Sequence, residues 1–359
     1  TVRTAHLDQD HGFLPLAAVV LEVEGERWSP HRLGLDLPEG WQCFLPLNRH
    51  DDGGYVARDF DALIDAPLEV GPHTVQTFQV GDVPHRWVTW AGGRSEVGGE
   101  GGDGQAWLLD RWPNLLADVR AVAEACCRLM GVERPASSDY LFVLHLLDEG
   151  YGGLEHDNAS VLVYGRSALE TADGYRRFLQ LVAHEYLHQW NVRRLRPREL
   201  APIDYHRPQL VPGLWFAEGV TSYFDQLLPI AAGLCEPVTL WQDLGEDLSR
   251  FRLTPGRQVQ CLRDSSMEAW VKLYRADAYA PDSQISYYLK GAVLALVLDL
   301  HLRRQGQALA TVLRDLWQRL GRWGRGYGDD DLISAFSAAA PDLEGLLPQW
   351  LTNLSDPDL

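Results

Sequence analysis

The pentapeptide His184-Glu185-Tyr186-Leu187-His188 constrains this chain more than any other stretch. It reads H-E-x-x-H and lies in an apolar pattern of helical spacing. Tyr175, Phe178, Leu179, Val182, Tyr186 and Trp190 recur at intervals of three or four, and Thr171 or Asp173 can cap the start, which predicts a helix over 173–191. Helix positions four apart lie one above the other on the same face. Both imidazoles can therefore grip one metal ion, with Glu185 close to its open coordination position. Two His ligands and a general base form the zinc-hydrolase arrangement. By composition alone the three fixed residues recur in roughly one chain of this length in a hundred. The helix adds the weight, because two buried imidazoles and a carboxylate need satisfying and a metal satisfies them.

A catalytic zinc needs a third protein ligand and one open position. Leu214 to Phe224 reads as an aromatic, buried helix with one carboxylate, Glu218, in its apolar face. A lone Glu there is costly to bury without a partner. Pro212-Gly213 starts this helix and Pro229 is expected to stop it, while Thr221 and Tyr223 read as packing groups or as groups that support a ligand from behind. Further on, Ser286-Tyr287-Tyr288-Leu289-Lys290-Gly291 enters a long apolar helix. A Tyr near zinc can donate a hydrogen bond to an oxyanion, although a Tyr-Tyr pair also suits a core. Upstream, Gly152-Gly153-Leu154-Glu155-His156 lies between two expected strands. Its glycines let the backbone approach a ligand closely. Glu155 by itself reads equally well as an ordinary loop carboxylate.

The chain has 359 residues, 46% of them hydrophobic, enough for a sizeable core and two domains or three. With 32 basic and 50 acidic residues the net charge is −18, which argues against nucleic acid and anionic membrane surfaces. Cys43, Cys126, Cys127, Cys235 and Cys261 are odd in number and show no C-x-x-C spacing, so neither a disulfide framework nor a zinc knuckle is expected. A reducing compartment fits them, and a cytoplasmic location is the expectation. The longest apolar run, Ala292 to Leu298, is flanked by Lys290 and Asp299, too short for membrane insertion. No signal peptide is visible, and the chain starts at Thr1 without Met. Nothing in the sequence indicates an oligomeric state.

Residues 1–92 read as a β domain, an antiparallel sandwich. Runs such as Ala17 to Val23, Thr74 to Val80 and Arg86 to Trp90 are separated by Pro, Gly and Asp turns. Residues 93–105 read as a Gly-rich linker or loop; the absence of Gly-Lys-Ser/Thr and the acidic charges exclude a phosphate loop. Residues 106–359 read as one domain, with a helix over 112–132, strands at 139–147 and 159–164, a loop over 150–158, and helices thereafter. The fold class is α+β.

The motifs in this order resemble the gluzincin metallopeptidases, whose H-E-x-x-H is followed by Glu in an E-G-x-T-x-Y context, then Y-x-K-G, with G-x-x-E upstream. Within that clan the chain is similar to the glycyl aminopeptidase family, on His184 to Asn191, Gly152 to His156, Tyr287 to Gly291 and Asp65-Ala66-Pro67. Position 217 is Ala and position 156 is His, where relatives outside that family carry Asn. The resemblance covers nearly the whole chain and implies a thermolysin-like catalytic domain after the sandwich. It implies one catalytic Zn2+ held by His184, His188 and Glu218, with Glu185 as base. It gives Tyr288 the oxyanion role, and adjacent helical residues point about 100° apart, so Tyr287 is expected to face elsewhere. It assigns Glu155, with Gly152 and Gly153, to substrate binding at the free α-amine. The implied activity is removal of N-terminal residues from peptides, with small first residues such as Gly or Ala preferred. An endopeptidase or an idle peptide-binding scaffold uses the same fold. No PDZ pattern appears before Leu359, although members of that family often carry one.

Overall fold

A computed structural model describes residues 2–91 and 104–356. The chain divides into two compact units, Thr1–Glu124 with Glu133–Gln189, and Ala125–Val132 with Trp190–Leu359. The first contains the strands: β1 (His6–Leu7), β2 (Gly12–Pro15), β3 (His31–Leu33), β4 (Gln42–Phe44), β5 (Asn48–Arg49), β6 (Tyr55–Ala57), β7 (Pro67–Gly71), β8 (Val75–Val80), β9 (Val83–Ala91), β10 (Tyr140–Leu147), β11 (Tyr151–Glu155) and β12 (Ala159–Gly165).

Two small antiparallel sheets, ordered β1-β2-β7-β4 and β3-β6-β5, share a core. Leu68 and Val70 of one meet Tyr55 and Ala57 of the other, together with Phe60 and Leu63 of the short helix Phe60–Asp65. Asp59 caps that helix, accepting the Ala62 N–H at 2.7 Å. This is the expected sandwich of antiparallel sheets.

The third sheet, ordered β11-β12-β10-β9-β8, is mixed, with β9, β10 and β12 mutually parallel. Alternation along β10 sorts its faces. Leu141 and Val143 pack with Phe13, Phe44 and Val161. Tyr140 and Phe142 turn the other way, and with Trp87 they meet Phe178 and Tyr186 of the helix Ala172–Leu187. Each fully buried Phe contributes about 1.5–3 kcal/mol, so this face fixes which side of the motif helix is turned away from the sheet.

Three sequence expectations need correction. The sheets do not divide at 92, because β8 and β9 are hydrogen-bonded into the sheet of β10 to β12. Alternation marks a strand without naming its partner, and here the partner of β9 lies some fifty residues away. Most of the Gly-rich segment 93–105 lies outside the described residues. Ala17 to Val23 forms a helical turn, Leu16–Val19, followed by a stretch in which Leu21 and Val23 are exposed. The loop over 150–158 contains a strand, β11, at the sheet edge.

The second unit is helical. Its helices include Val220–Ala231, Val238–Leu253, Tyr287–Arg304, Leu309–Arg319, Asp329–Ala339 and Leu343–Thr352. Pro229 lies inside Val220–Ala231 rather than ending it. Phe251, Ile285, Leu289 and Val293 form a core cluster. Two of its helical segments cross at paired glycines: a Cβ on Gly219 would stand 2.5 Å from Gly291 Cα, and one on Gly291 would stand 2.9 Å from Gly219 Cα. No helix among the described residues is long and apolar enough to cross a membrane.

Candidate metal centre and active site

The motif helix starts at Thr171, whose hydroxyl accepts the Gly174 N–H at 3.0 Å. It ends at Leu187, with the His188 N–H still bonded to His184 O at 3.3 Å. The helix is therefore shorter than the 173–191 expected, and His188 belongs to its last turn. Its sheet-facing side is anchored by Tyr186, whose hydroxyl is 2.8 Å from His85 Nε2. His85 Nδ1 lies 2.9 Å from the Val83 carbonyl, so Nδ1 carries the proton and Nε2 accepts from the Tyr186 hydroxyl. Burial lowers His85 to about 4, which keeps it neutral. Beyond the helix, Gln189 Oε1 accepts from Ser137 Oγ at 2.8 Å.

His184 and His188 stand one turn apart with ring centroids 4.7 Å apart and planes at 89°. Crossed imidazoles beside carboxylates are the nitrogen and oxygen donors a zinc-class ion takes.

The edge strand β11 supplies the second part. Tyr151, Gly153 and Glu155 share one face of it, Gly152 and Leu154 the other. Leu154 packs into the sheet core, so Gly153 and Glu155 face the motif helix. A Cβ on Gly153 would stand 2.1 Å from Glu185 Oε1. Only a glycine lets the strand come this close to that carboxylate. Glu155, Glu185 and His188 offer donor atoms within 4.8 Å of one another. A Cβ on Gly152 would meet nothing within 4 Å. Asp65 steadies the turn after Glu155, accepting the Asp157 N–H at 2.8 Å and lying 3.4 Å from His156 Nδ1. The Asp65-Ala66-Pro67 pattern thus has a structural purpose.

In the helical unit, Glu218 lies in a π-helical turn, Trp215–Gly219, that runs on into Val220–Ala231. Such turns are rare and frequent at functional sites. The backbone around Glu218 is tied down: Asn191 Nδ2 donates to the carbonyls of Phe216 and Ala217 at 3.0 and 3.1 Å, and Thr221 Oγ1 donates to Ala217 O at 2.7 Å. Tyr223 donates to Asp299 Oδ2 at 2.8 Å. Thr221 thus supports the backbone beside Glu218, while Tyr223 is tied to Asp299.

Tyr287 and Tyr288 do not point apart. Their rings stack at 4.7 Å, and both hydroxyls lie within hydrogen-bond reach of Tyr274 Oη, at 3.3 and 3.1 Å. Burial, and after it the Glu218 charge, pushes both phenols up. Tyr274 carries no motif and was not legible in the sequence. Lys290 is a structural lysine: its Nζ reaches the carbonyls of Arg257 and Gln260 at 3.4 and 3.5 Å, and burial lowers its pKa. Of the arginines that follow the motif, Arg198 pairs with Asp331 at 3.0 Å and Arg196 donates to the Arg193 carbonyl.

The structure thus brings His184, Glu185, His188, Gly153 and Glu155 together in the first unit, and sets Glu218 with Tyr274, Tyr287 and Tyr288 in the second. An H-E-x-x-H helix under a sheet edge, followed by a Glu-bearing helix, is the arrangement of the gluzincin fold. The chain belongs to the M61 glycyl aminopeptidase family. That family's description matches residues 177–294, and its N-terminal domain matches residues 1–72. An aminopeptidase N family protein from Idiomarina loihiensis is 32% identical, with a TM-score of 0.89 over 100% of this chain. The chain spans 61% of that protein's length. An M1 zinc metallopeptidase from Deinococcus radiodurans shares the fold at 17% identity and a TM-score of 0.54, over 90% of this chain and 63% of that one. A mutant of the latter, 16% identical with a TM-score of 0.55 over the same shares, was solved with a Tyr-Ser-Ala substrate. No curated protein matches the chain.

Proposed function

We propose that the chain is a zinc-dependent aminopeptidase that removes small first residues, Gly or Ala, from peptides. The observation that carries this reading is the grouping of Glu155, Glu185 and His188, with donor atoms within 4.8 Å, beside the edge strand β11. A peptide can add to such an edge by backbone pairing, along Gly152 and Gly153. Glu155 then accepts hydrogen bonds from the protonated α-amine, which fixes the scissile bond one residue in.

His184, His188 and Glu218 would hold one zinc ion, a donor set that suits it. When bound, zinc supplies Lewis-acid polarisation of the scissile carbonyl and acidification of the attacking water. Glu185 takes a proton from that water and returns it to the leaving amine. Tyr288 donates its phenolic hydrogen to the oxygen that gains charge, and the Tyr274 hydroxyl at 3.1 Å holds that phenol in place. Burial keeps the Tyr288 phenol protonated at neutral pH, as a donor must.

The test compares one peptide with a free and an acetylated N-terminus. We expect acetylation to lower kcat/KM at least ~10²-fold, and Glu155→Ala to lose activity on the free peptide while keeping its metal. Equal cleavage of both peptides at an internal bond would make the protein an endopeptidase and Glu155 an ordinary carboxylate.

A further inference from the structure

A second group of donors lies in the β half, among residues the H-E-x-x-H chemistry does not use. Glu69 on β7 is wholly buried. His73 Nε2 stands 2.8 Å from one of its oxygens, and His145 Nε2, on β10, stands 2.9 Å from the other. His11, just before β2, brings its Nε2 to 3.9 Å. Each of the four is at most 9% exposed. Trp90 stacks flat on His11 at 3.8 Å and 7°, and Phe13 stands edge-on to His145 at 4.8 Å. Gly71 permits the fold of His73, since a Cβ there would lie 2.5 Å from His73 Nε2.

A hydrogen-bonded core accounts for part of this cluster. Two imidazoles satisfy the two oxygens of one carboxylate, and His73 and His145 already do so. His11 is surplus to that network. Its Nδ1 is buried and has no hydrogen-bond partner, the nearest carboxylate oxygen being Asp8 Oδ1 at 4.0 Å. A third imidazole with its Nδ1 unmet and its Nε2 turned to a carboxylate whose oxygens already accept from two others is costly unless a cation takes a lone pair there.

We propose that His11, His145 and Glu69 bind a second metal ion, a divalent transition ion of the zinc class, with His73 holding Glu69 in place. Their donor atoms lie within 4.8 Å of one another. Bonds of about 2.1 Å in a tetrahedron set donors about 3.4 Å apart, so His11 closes on the others by an ångström or so. Two imidazoles and one carboxylate select zinc and its neighbours over calcium or magnesium, which take oxygen ligands. His73 bonded to a ligating carboxylate is the outer-shell partner such sites use. An entry route exists: half-exposed His6 and Asp8, 2.8 Å apart, lead to the His11 ring, 5.0 Å from that of His6. The ion ties the start of β2 to β7 and β10 and so joins two sheets. This is a structural role, independent of peptide hydrolysis.

The experiment uses the full chain carrying His184→Ala and His188→Ala, which empties the motif site. Zinc content is read by mass spectrometry of the metal and zinc binding by titration with Zn2+, with thermal melting in zinc and in chelator. We expect about one zinc per chain in this background, a melting temperature raised by zinc, and a crystal with an anomalous zinc peak among His11, His145 and Glu69. Adding Glu69→Gln should drop the content below ~0.1 per chain. Because that change also touches the hydrogen-bond network, His11→Gln is made in parallel. It leaves Glu69, His73 and His145 joined and should weaken zinc binding at least ~10-fold. A double-Ala protein that takes up no zinc at 100-fold excess over protein (about 1 mM) overturns the proposal. So does uptake that His11→Gln leaves unchanged.

Discussion

Adding one methyl group at Gly153 should cost this protein much activity and little stability. A Cβ there would stand 2.1 Å from Glu185 Oε1, 2.3 Å from Cδ and 2.5 Å from Cγ. An ordinary carbon–oxygen contact is about 3.4 Å, so the Glu185 carboxylate must withdraw by more than an ångström. The obstacle is the end of a flexible side chain, and backbone is not in the way. The fold therefore yields by turning Glu185 to another rotamer, at a cost of about 1 kcal/mol. A displacement of about 1 Å in a catalytic group costs about 10²-fold in rate, and loss of a general base costs about 10² to 10⁴. Gly153→Ala should then lower kcat by ~10²-fold or more, approaching Glu185→Gln. His184 and His188 are untouched in both, so zinc content should stay at the parental level. The assay is kcat and KM on a glycyl reporter substrate, with metal content and melting temperature measured on the same samples. A Gly153→Ala enzyme within ~3-fold of the parental kcat would refute the reasoning, because the carboxylate that must move would not be the one that works.

Three further outcomes follow from the same geometry. Tyr288→Phe should lower kcat ~10²-fold with little change in KM, Tyr274→Phe should lower it less, and Tyr287→Phe least; a silent Tyr288→Phe beside a crippled Tyr287→Phe would reverse the assignment of the two stacked phenols. Gly291→Ala should destabilise by about 3 kcal/mol or more, because its Cβ would meet Gly219 Cα and Trp215 O at 2.9 Å, both backbone; a denaturant midpoint close to the parental value would show that the two helices are free to part. His85 is lowered to about 4 by burial, from 6.5 when unfolded, so the unfolded chain binds the extra proton first. Its contribution is intact above pH 6.5 and is lost as pH falls toward 4, up to about 3 kcal/mol in all. His85→Gln should flatten the pH dependence of the denaturant midpoint in that window, and an unchanged slope would remove His85 from the account.

The helix that carries His184, Glu185 and His188 was legible because its apolar residues are periodic, whereas the strand that carries Glu155 was read as a loop. His184, Glu185 and His188 were readable from spacing alone, since the apolar residues around them fix which face is free. Glu218 was readable as a carboxylate in an apolar face, though not its π-helical turn, which no local pattern encodes. What stayed hidden was non-local. β9 reads as a strand, yet its parallel pairing with β10 depends on contacts that alternation does not specify. Tyr274 reaches the tyrosine pair from thirteen residues away on a stretch with no period. Glu69 with His11, His73 and His145 draws on three separate places in the chain, none of which stands out in the sequence. The Tyr287 and Tyr288 argument failed for another reason. Directions at Cα differ by about 100° on a helix, but long aromatic side chains can still converge at their tips.

The glycines show where motif reading and packing part company. In sequence, Gly153, Gly219 and Gly291 all read as motif positions near the chemistry. Gly219 and Gly291 touch each other backbone to backbone, so the glycines of the E-G and K-G motifs hold one helix against the other. They serve the site by fixing where Glu218 and Tyr288 start. Gly153 was read as room for a ligand, and the residue that fills this room is Glu185. The space available to a peptide lies instead on the free edge of β11 and beside Gly152, where an added Cβ meets nothing within 4 Å. Under the aminopeptidase reading proposed above, a substrate strand paired there would pass Glu155 before it reached Glu185, and the order of the two carboxylates would limit cleavage to the first peptide bond.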